Sequence, residues 1–60
     1  MNEEIKNYKV EVLTSTTNKL TYYLKDIVQF VINPNYYYFR DKDDLVSLFP
    51  LHKTIVRQIK

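Results

Sequence analysis

Residues 19–32 read KLTYYLKDIVQFVI, and the conformation of this stretch decides the fold of the chain. As a helix, the stretch would carry an apolar stripe at spacings of three and four residues: Leu20, Tyr23, Leu24, Ile27, Val28 and Val31. As strands, it would place a different apolar set on one face, with a bend at Lys25 and Asp26: Leu20, Tyr22, Leu24, Val28, Phe30 and Ile32.

The composition of this stretch favours strands. Most of its residues are β-branched or aromatic, and the chain contains no alanine, which is the best helix former. A helix would also leave Tyr22 and Phe30 outside its apolar stripe. We therefore predict two short strands here. The alternative is an α+β fold with a helix over about residues 18–32.

The flanking segments also read as strands. Residues 8–12 alternate apolar and charged side chains, which is the pattern of a strand with one wet face. Residues 36–40 and 45–49 are two strand-like runs joined by a charged loop, and residues 54–59 form a last run after Pro50. The prediction is an all-β fold, a small antiparallel meander or half-barrel of five to six short strands. The predicted core is Val10, Val12, Leu20, Leu24, Val28, Phe30, Phe39, Val46, Leu48, Ile55 and Ile59.

The turns of this fold have to form without glycine, which the chain lacks. Asparagine and aspartate tolerate left-handed backbone angles better than other residues do. We therefore expect them at the turns, and the candidates are Asn18, Asn33, Asn35, Asp41, Asp43 and Asp44.

The length allows one domain, residues 1–60, whose stability is expected to be marginal. With no cysteine and one histidine, disulfides and zinc sites are not available as additional support. Six tyrosines and three phenylalanines can supply a large apolar area, and self-association can supply more. We therefore expect a homo-oligomer with no cofactor.

The start of the chain, MNEEIKNYK, lacks the basic residues and the apolar run of a secretory signal. No apolar run approaches the roughly 20 residues that span a bilayer. The sequence therefore predicts a cytoplasmic protein with no membrane association.

Three segments carry a resemblance to known proteins: LTYYLKDIVQFVI, NYYYFRDKDDLVSLFPL and KTIVRQIK. Their order of strand, bend, strand, charged hairpin, strand ending near proline and final strand resembles small β-meander proteins of Gram-positive bacteria and their phages. That group is mostly of unknown function. Some phage proteins of this size look like inhibitors of host enzymes or defence systems, so the resemblance implies an accessory, anti-defence role.

The sequence contains no convincing catalytic or metal motif. The acids of residues 41–44 suggest a calcium loop, but an EF-hand would need glycine and glutamate where Val46 and His52 stand. His52 has no neighbouring acid to orient it, and there is no cysteine nucleophile. We therefore predict that the protein is not an enzyme.

Residues 33–44, NPNYYYFRDKDD, hold the candidate binding site. In a strand, Tyr37 and Phe39 point to one face while Tyr36, Tyr38 and Arg40 point to the other, and either set is free to be the outward one. Tyrosine and arginine are enriched at binding hot spots. We predict Tyr36, Tyr38 and Arg40 as anchors, with an electrostatic rim of Asp41, Asp43 and Asp44.

The function expected from these features is binding: a small non-enzymatic protein that docks on a host protein and inhibits it. Two alternatives belong to other classes. One is a single-stranded nucleic-acid-binding small β-barrel, with a platform of Tyr36, Tyr38, Arg40, Lys53, Arg57 and Lys60. The net charge of +2 and the adjacent acids count against this alternative. The other is a structural subunit that only assembles with itself.

Overall fold

The computed structural model describes residues 5–59 and contains five strands and one short 3-10 turn. The strands are β1 (Lys6–Leu13), β2 (Lys19–Ile32), β3 (Tyr36–Asp41), β4 (Val46–Pro50) and β5 (Thr54–Ile59), and the turn is Leu51–Lys53. They form one antiparallel sheet in the order β4-β3-β2-β1-β5. The prediction of a small all-β meander is confirmed, and the alternative helix over residues 18–32 is wrong.

β2 is one strand of 14 residues with a kink, where two short strands were predicted. The kink falls at the predicted bend, because Asp26 has a φ of 57°. Its N–H donates to the Asn7 side-chain oxygen at 3.0 Å, which anchors the kink to β1. The pairing of β2 with β1 and with β3 shifts register on either side of this point.

The kink divides the sheet into two layers. The first layer consists of β5, β1 and the N-terminal half of β2, and the second consists of the C-terminal half of β2 with β3 and β4. A flat sheet would separate β4 from β5 by four strand spacings, about 19 Å. The link from Pro50 to Thr54 has four Cα steps and reaches at most about 14 Å, so the sheet must curl.

Side-chain contacts confirm the curl. The Thr54 hydroxyl donates to the carbonyl oxygen of Pro50, which ties the start of β5 to the end of β4. The ring of Tyr22 in the first layer lies 5.4 Å from the ring of Phe49 in the second. The result is an open, curled sheet that is not closed into a barrel, with an inner and an outer face.

The core lies on the inner face and is mostly aromatic. Phe39 is fully buried, and its ring centroid lies 4.7 Å from that of Phe30 and 5.3 Å from that of Tyr8. The other buried apolar residues of the described chain are Tyr8, Val10 and Ile27. Partly buried side chains complete the cluster: Val12, Leu24, Phe30, Tyr37, Phe49 and Val56. The rings therefore supply much of the apolar burial that a chain of this length needs.

The predicted core is correct in part. Val10 and Phe39 are buried, and Val12, Leu24 and Phe30 pack against them, while Val28 is half-buried. Five predicted core residues are instead exposed: Leu20, Val46, Leu48, Ile55 and Ile59. Tyr8, Ile27, Tyr37, Phe49 and Val56 take part although they were not predicted.

Register explains these errors. Tyr37 pairs with Phe49 on β4, so Phe49 points inward and Leu48 points outward. In β5, Val10 pairs with Val56, which turns Ile55 outward in the same way. Leu20 lies across from Val12 on the inner side, but it stands near the start of β2 and remains exposed.

Two of the left-handed backbone positions fall on aspartates, as the lack of glycine suggested. Asp44 has a φ of 63° and was among the predicted turn residues. Asp26, with its φ of 57°, was not in that list but belongs to the predicted bend at Lys25 and Asp26. A β-branched residue at either position would be strained.

Candidate interaction surface

The alternation of β3 divides the aromatic run between the two faces. Tyr37 and Phe39 point inward, with Phe39 completely buried and Tyr37 packed against the core. Tyr36, Tyr38 and Arg40 therefore share the outer face of the second layer. Tyr36 is exposed, whereas Tyr38 and Arg40 are half-buried. The structure thus places the three predicted anchors on one surface.

Neighbouring strands extend this surface with apolar side chains. Val31 on β2 pairs with Tyr38, and Tyr38 pairs with Leu48 on β4, so the three lie in a row across three strands. Leu48 is 57% exposed. Flanking rows pair Tyr36 with Pro50 and Arg40 with Val46. We call this surface the outer patch: Val31, Tyr36, Tyr38, Val46, Leu48 and Pro50.

Val31, Val46 and Leu48 were not predicted as part of the binding surface. The hairpin contains the signal that would have found them. Once Phe39 is assigned to the core, its partner Ser47 must also face inward. The neighbours Val46 and Leu48 then have to face outward, since side chains alternate along a strand.

Arg40 is held in place at the margin of the outer patch. Its Nε donates to the Gln29 side-chain oxygen at 3.1 Å, and its Nη1 donates to the Asp44 carboxylate at 2.7 Å. The guanidinium is therefore oriented before any partner arrives, and Asp44 partly balances its charge. A pre-oriented side chain loses less conformational entropy on binding than a mobile one does.

The predicted acidic rim follows directly after Arg40, and two of its members also shape the loop. The Asp41 carboxylate accepts the N–H groups of Asp43 at 2.9 Å and of Leu45 at 3.0 Å, as in an aspartate-capped turn. Asp44 supplies the left-handed position. Lys42 pairs with Asp26 at 3.5 Å across the kink. The rim therefore mixes both signs of charge.

The alternative nucleic-acid platform is not assembled as predicted. Arg57 lies on the outer face of the first layer, because it pairs with Lys9, and β1 and β2 separate its strand from β3. Lys53 belongs to the 3-10 turn and lines a shallow hollow with residues 13–16. Lys60 lies outside the described residues. Tyr38 and Arg57 thus belong to different layers.

The outer face of the first layer holds a buried carboxylate that was not predicted. Glu11 on β1 is only 6% exposed, and the Lys19 ammonium contacts its carboxylate. The hydrogen bond from Lys19 is the main reason why the pKa of Glu11 lies below its ordinary value. Burial opposes this shift, and the charges of Lys19, Lys9 and Arg57 add to it. Glu11 therefore stays ionised to lower pH in the folded protein.

This pKa shift predicts a pH dependence of stability. Because the pKa of Glu11 is lower in the folded state than the ordinary 4.5, its contribution is complete above about pH 4.5 and is lost as the pH falls through the folded value. Urea unfolding of wild type and of Glu11→Gln, each at a pH above 4.5 and at a pH below the folded pKa, measures how much stability each protein loses on acidification. We expect wild type to lose more stability on acidification. Equal losses in the two proteins would contradict this assignment.

The remaining surface offers shallow hollows. One is an open groove of about 410 Å³ on the inner side, lined by Tyr8, Phe30, Ile32, Tyr37 and Val56, with Lys6 and Gln58. Within residues 5–59, no group of three His, Asp or Glu side chains is arranged to hold a metal ion. No helix in the same range is long and apolar enough to cross a membrane.

No protein-family model matches the chain, and comparison with curated proteins and with solved structures gives no significant match. The structure therefore assigns the protein to a fold class: it is a small all-β protein with a curled, five-stranded antiparallel sheet.

Proposed function

We propose that the protein is a non-enzymatic binding protein whose outer patch docks on another protein. The observation that carries this proposal is the outward-facing row of Val31, Tyr38 and Leu48, in register across three strands, of which Val31 and Leu48 are exposed. The inner face of the same layer already holds the core, so the fold does not need these side chains for its own packing. Contiguous apolar surface of this kind is typical of interaction sites.

The residue types in and around the patch favour a protein partner. Tyrosine and arginine combine a large contact area with hydrogen-bonding groups, and they are over-represented at hot spots. An apolar centre beside a charged margin of Arg40, Asp43 and Asp44 is the usual anatomy of a protein interface. An apolar row spread across the face of three strands suits a partner's surface better than a small molecule, whose binding sites are concave.

The narrower proposal concerns which protein the outer patch binds and what binding does to that protein's activity. The resemblance to small proteins of Gram-positive bacteria and their phages supports a host protein that the chain inhibits, in the cytoplasm. A second copy of the chain is the rival occupant of the same patch.

Leu48→Lys is the substitution that tests the outer patch, and Ile55→Lys is its matched control. Leu48 is 57% exposed and Ile55 is 47% exposed, on the outer faces of the two edge strands. Each tagged protein serves as bait in a lysate of the source organism, and the captured protein is identified by mass spectrometry. Calorimetric titration with the purified partner then gives Kd. We expect Leu48→Lys to raise Kd about 10-fold or more, and Ile55→Lys to leave it unchanged.

Circular dichroism of the three proteins checks that each remains folded. Equal capture by wild type and Leu48→Lys would contradict the proposal, and so would loss of capture with Ile55→Lys. Light scattering tests whether a second copy of the chain occupies the outer patch instead. A dimer that Leu48→Lys disrupts, with no host protein captured by wild type, would replace the proposed function with that of a self-assembling subunit.

A further inference from the structure

A second surface stands out on the outer face of the first layer. Tyr23 on β2 pairs with Lys9 on β1, and Lys9 pairs with Arg57 on β5, so the three side chains form one row across three strands. Side chains directly across from each other in such a sheet have Cβ atoms about 5 Å apart. We call these three residues the basic row.

The charges of the basic row are unfavourable in the isolated chain. Lys9 and Arg57 lie directly across from each other, and like charges in that position destabilise a sheet. Among the described residues of this face, Glu11 is the acid whose charge offsets them in part, since both cations help to lower its pKa. Its carboxylate is also contacted by the Lys19 ammonium, so one negative charge is shared among three cations. An anion from outside the chain would relieve the repulsion between the two cations.

Tyr23 adds a second recognition element to these cations. It is 63% exposed, more than any other tyrosine of the described chain, and it stands at the end of the row beside Lys9. An exposed ring next to cations suits a ligand that carries both a flat aromatic face and negative charge. The bases and phosphates of a single strand provide both. An acidic peptide would use the cations but not the ring.

We infer that the basic row binds single-stranded nucleic acid, with a base stacked on Tyr23 and phosphates contacted by Lys9 and Arg57. Asp41 is the acid of the charged loop that lines the same hollow as Tyr23. Its carboxylate accepts the N–H groups of Asp43 and Leu45 but keeps its negative charge, so phosphates belong at the Lys9 and Arg57 end of the row and the uncharged base at Tyr23. The basic row and the outer patch belong to different layers, so this activity does not depend on the proposed protein partner.

Fluorescence anisotropy with a labelled oligothymidylate of about 15 nucleotides tests the inference. We expect binding at tens of micromolar or tighter at about 50 mM salt, with a slope of log K against log salt near −1.4 for two phosphate contacts. Tyr23→Ala should weaken binding about 5- to 150-fold, because it removes the stacking surface. Arg57→Gln should reduce the magnitude of the salt slope by about 0.7, because it removes one phosphate contact.

Matched controls come from the second layer. Lys42→Gln removes one positive charge from a side chain that is 57% exposed, and Tyr36→Ala removes an exposed ring, and both should leave binding unchanged. Leu48→Lys should also bind the oligonucleotide as wild type does, which separates failure of this inference from failure of the proposed function. Circular dichroism confirms that every variant is folded.

Three results would overturn the inference. One is the absence of any anisotropy change at tens of micromolar protein and low salt. Another is an equal reduction of the salt slope by Arg57→Gln and Lys42→Gln, since that would show attraction by the total charge of the protein and not by the basic row. The third is equal competition by a polyglutamate peptide of matched charge, which would assign the basic row to acidic peptides.

Discussion

Phe39→Ala is expected to lower the free energy of unfolding by about 3–5 kcal/mol. The Phe39 ring is completely buried and packs against the rings of Tyr8, Phe30 and Phe49. A domain of 60 residues is expected to have a total stability of only about 3–9 kcal/mol. The variant should therefore lose a large share of this stability and unfold at a much lower urea concentration than wild type, which urea titration followed by circular dichroism would show.

The neighbouring Tyr38→Ala is the matched control for this prediction. Tyr38 lies one residue earlier on the same strand, but its ring belongs to the outer face. We expect it to cost about 1 kcal/mol or less, as substitutions away from the core usually do. Similar losses in the two variants would show that the two faces of β3 have been assigned wrongly.

Phe49→Ala should have the second largest effect, about 2–3 kcal/mol, because Phe49 is only half-buried. Its ring lies 5.4 Å from Tyr22 of the first layer and 5.8 Å from Phe39 of the second. Removing it takes away a contact that joins the two layers where the sheet curls. The loss is measured by urea unfolding, and a weaker near-ultraviolet aromatic signal should accompany it.

Leu48→Ala provides the comparison on the same strand. Leu48 faces solvent in the isolated chain, so we expect a change within about 0.5 kcal/mol. If Leu48→Ala proved as costly as Phe49→Ala, the register between β3 and β4 would have to shift by one residue, because such a shift exchanges the two faces.

Much of the fold can be predicted from local sequence. The β-branched and aromatic content of residues 19–32 correctly favours strand over helix, and the polar pair Lys25 and Asp26 marks the kink. The hairpin between β3 and β4 follows from two apolar runs and a charged loop. These features depend on backbone preferences that neighbouring residues determine.

The faces of β4 and β5 could not be predicted in the same way. In β4, Val46 and Leu48 form as good an apolar pair as Ser47 and Phe49, and in β5 the same ambiguity arises between Ile55 and Val56. Alternation separates the two sets but does not say which of them is buried. The pairing of Tyr37 with Phe49 across the hairpin decides it for β4, and the pairing of Val10 with Val56, which lie far apart in the chain, decides it for β5.

The candidate surfaces differ in the same respect. Tyr36, Tyr38 and Arg40 could be grouped from sequence because they alternate within one strand. The basic row could not, since Tyr23, Lys9 and Arg57 come from three strands and meet only through the sheet order. Long-range pairing therefore creates the surface that local patterns do not reveal.

The double variant Tyr36→Ala with Tyr38→Ala tests the central claim most directly. Partner capture and the circular dichroism spectrum are measured on the same sample. If the outer patch is the binding site, the double variant keeps the strand spectrum and no longer captures the partner of the wild type. A folded double variant that captures the partner as well as wild type would contradict the claim. Loss of the folded spectrum would contradict it too, because the two tyrosines would then belong to the core.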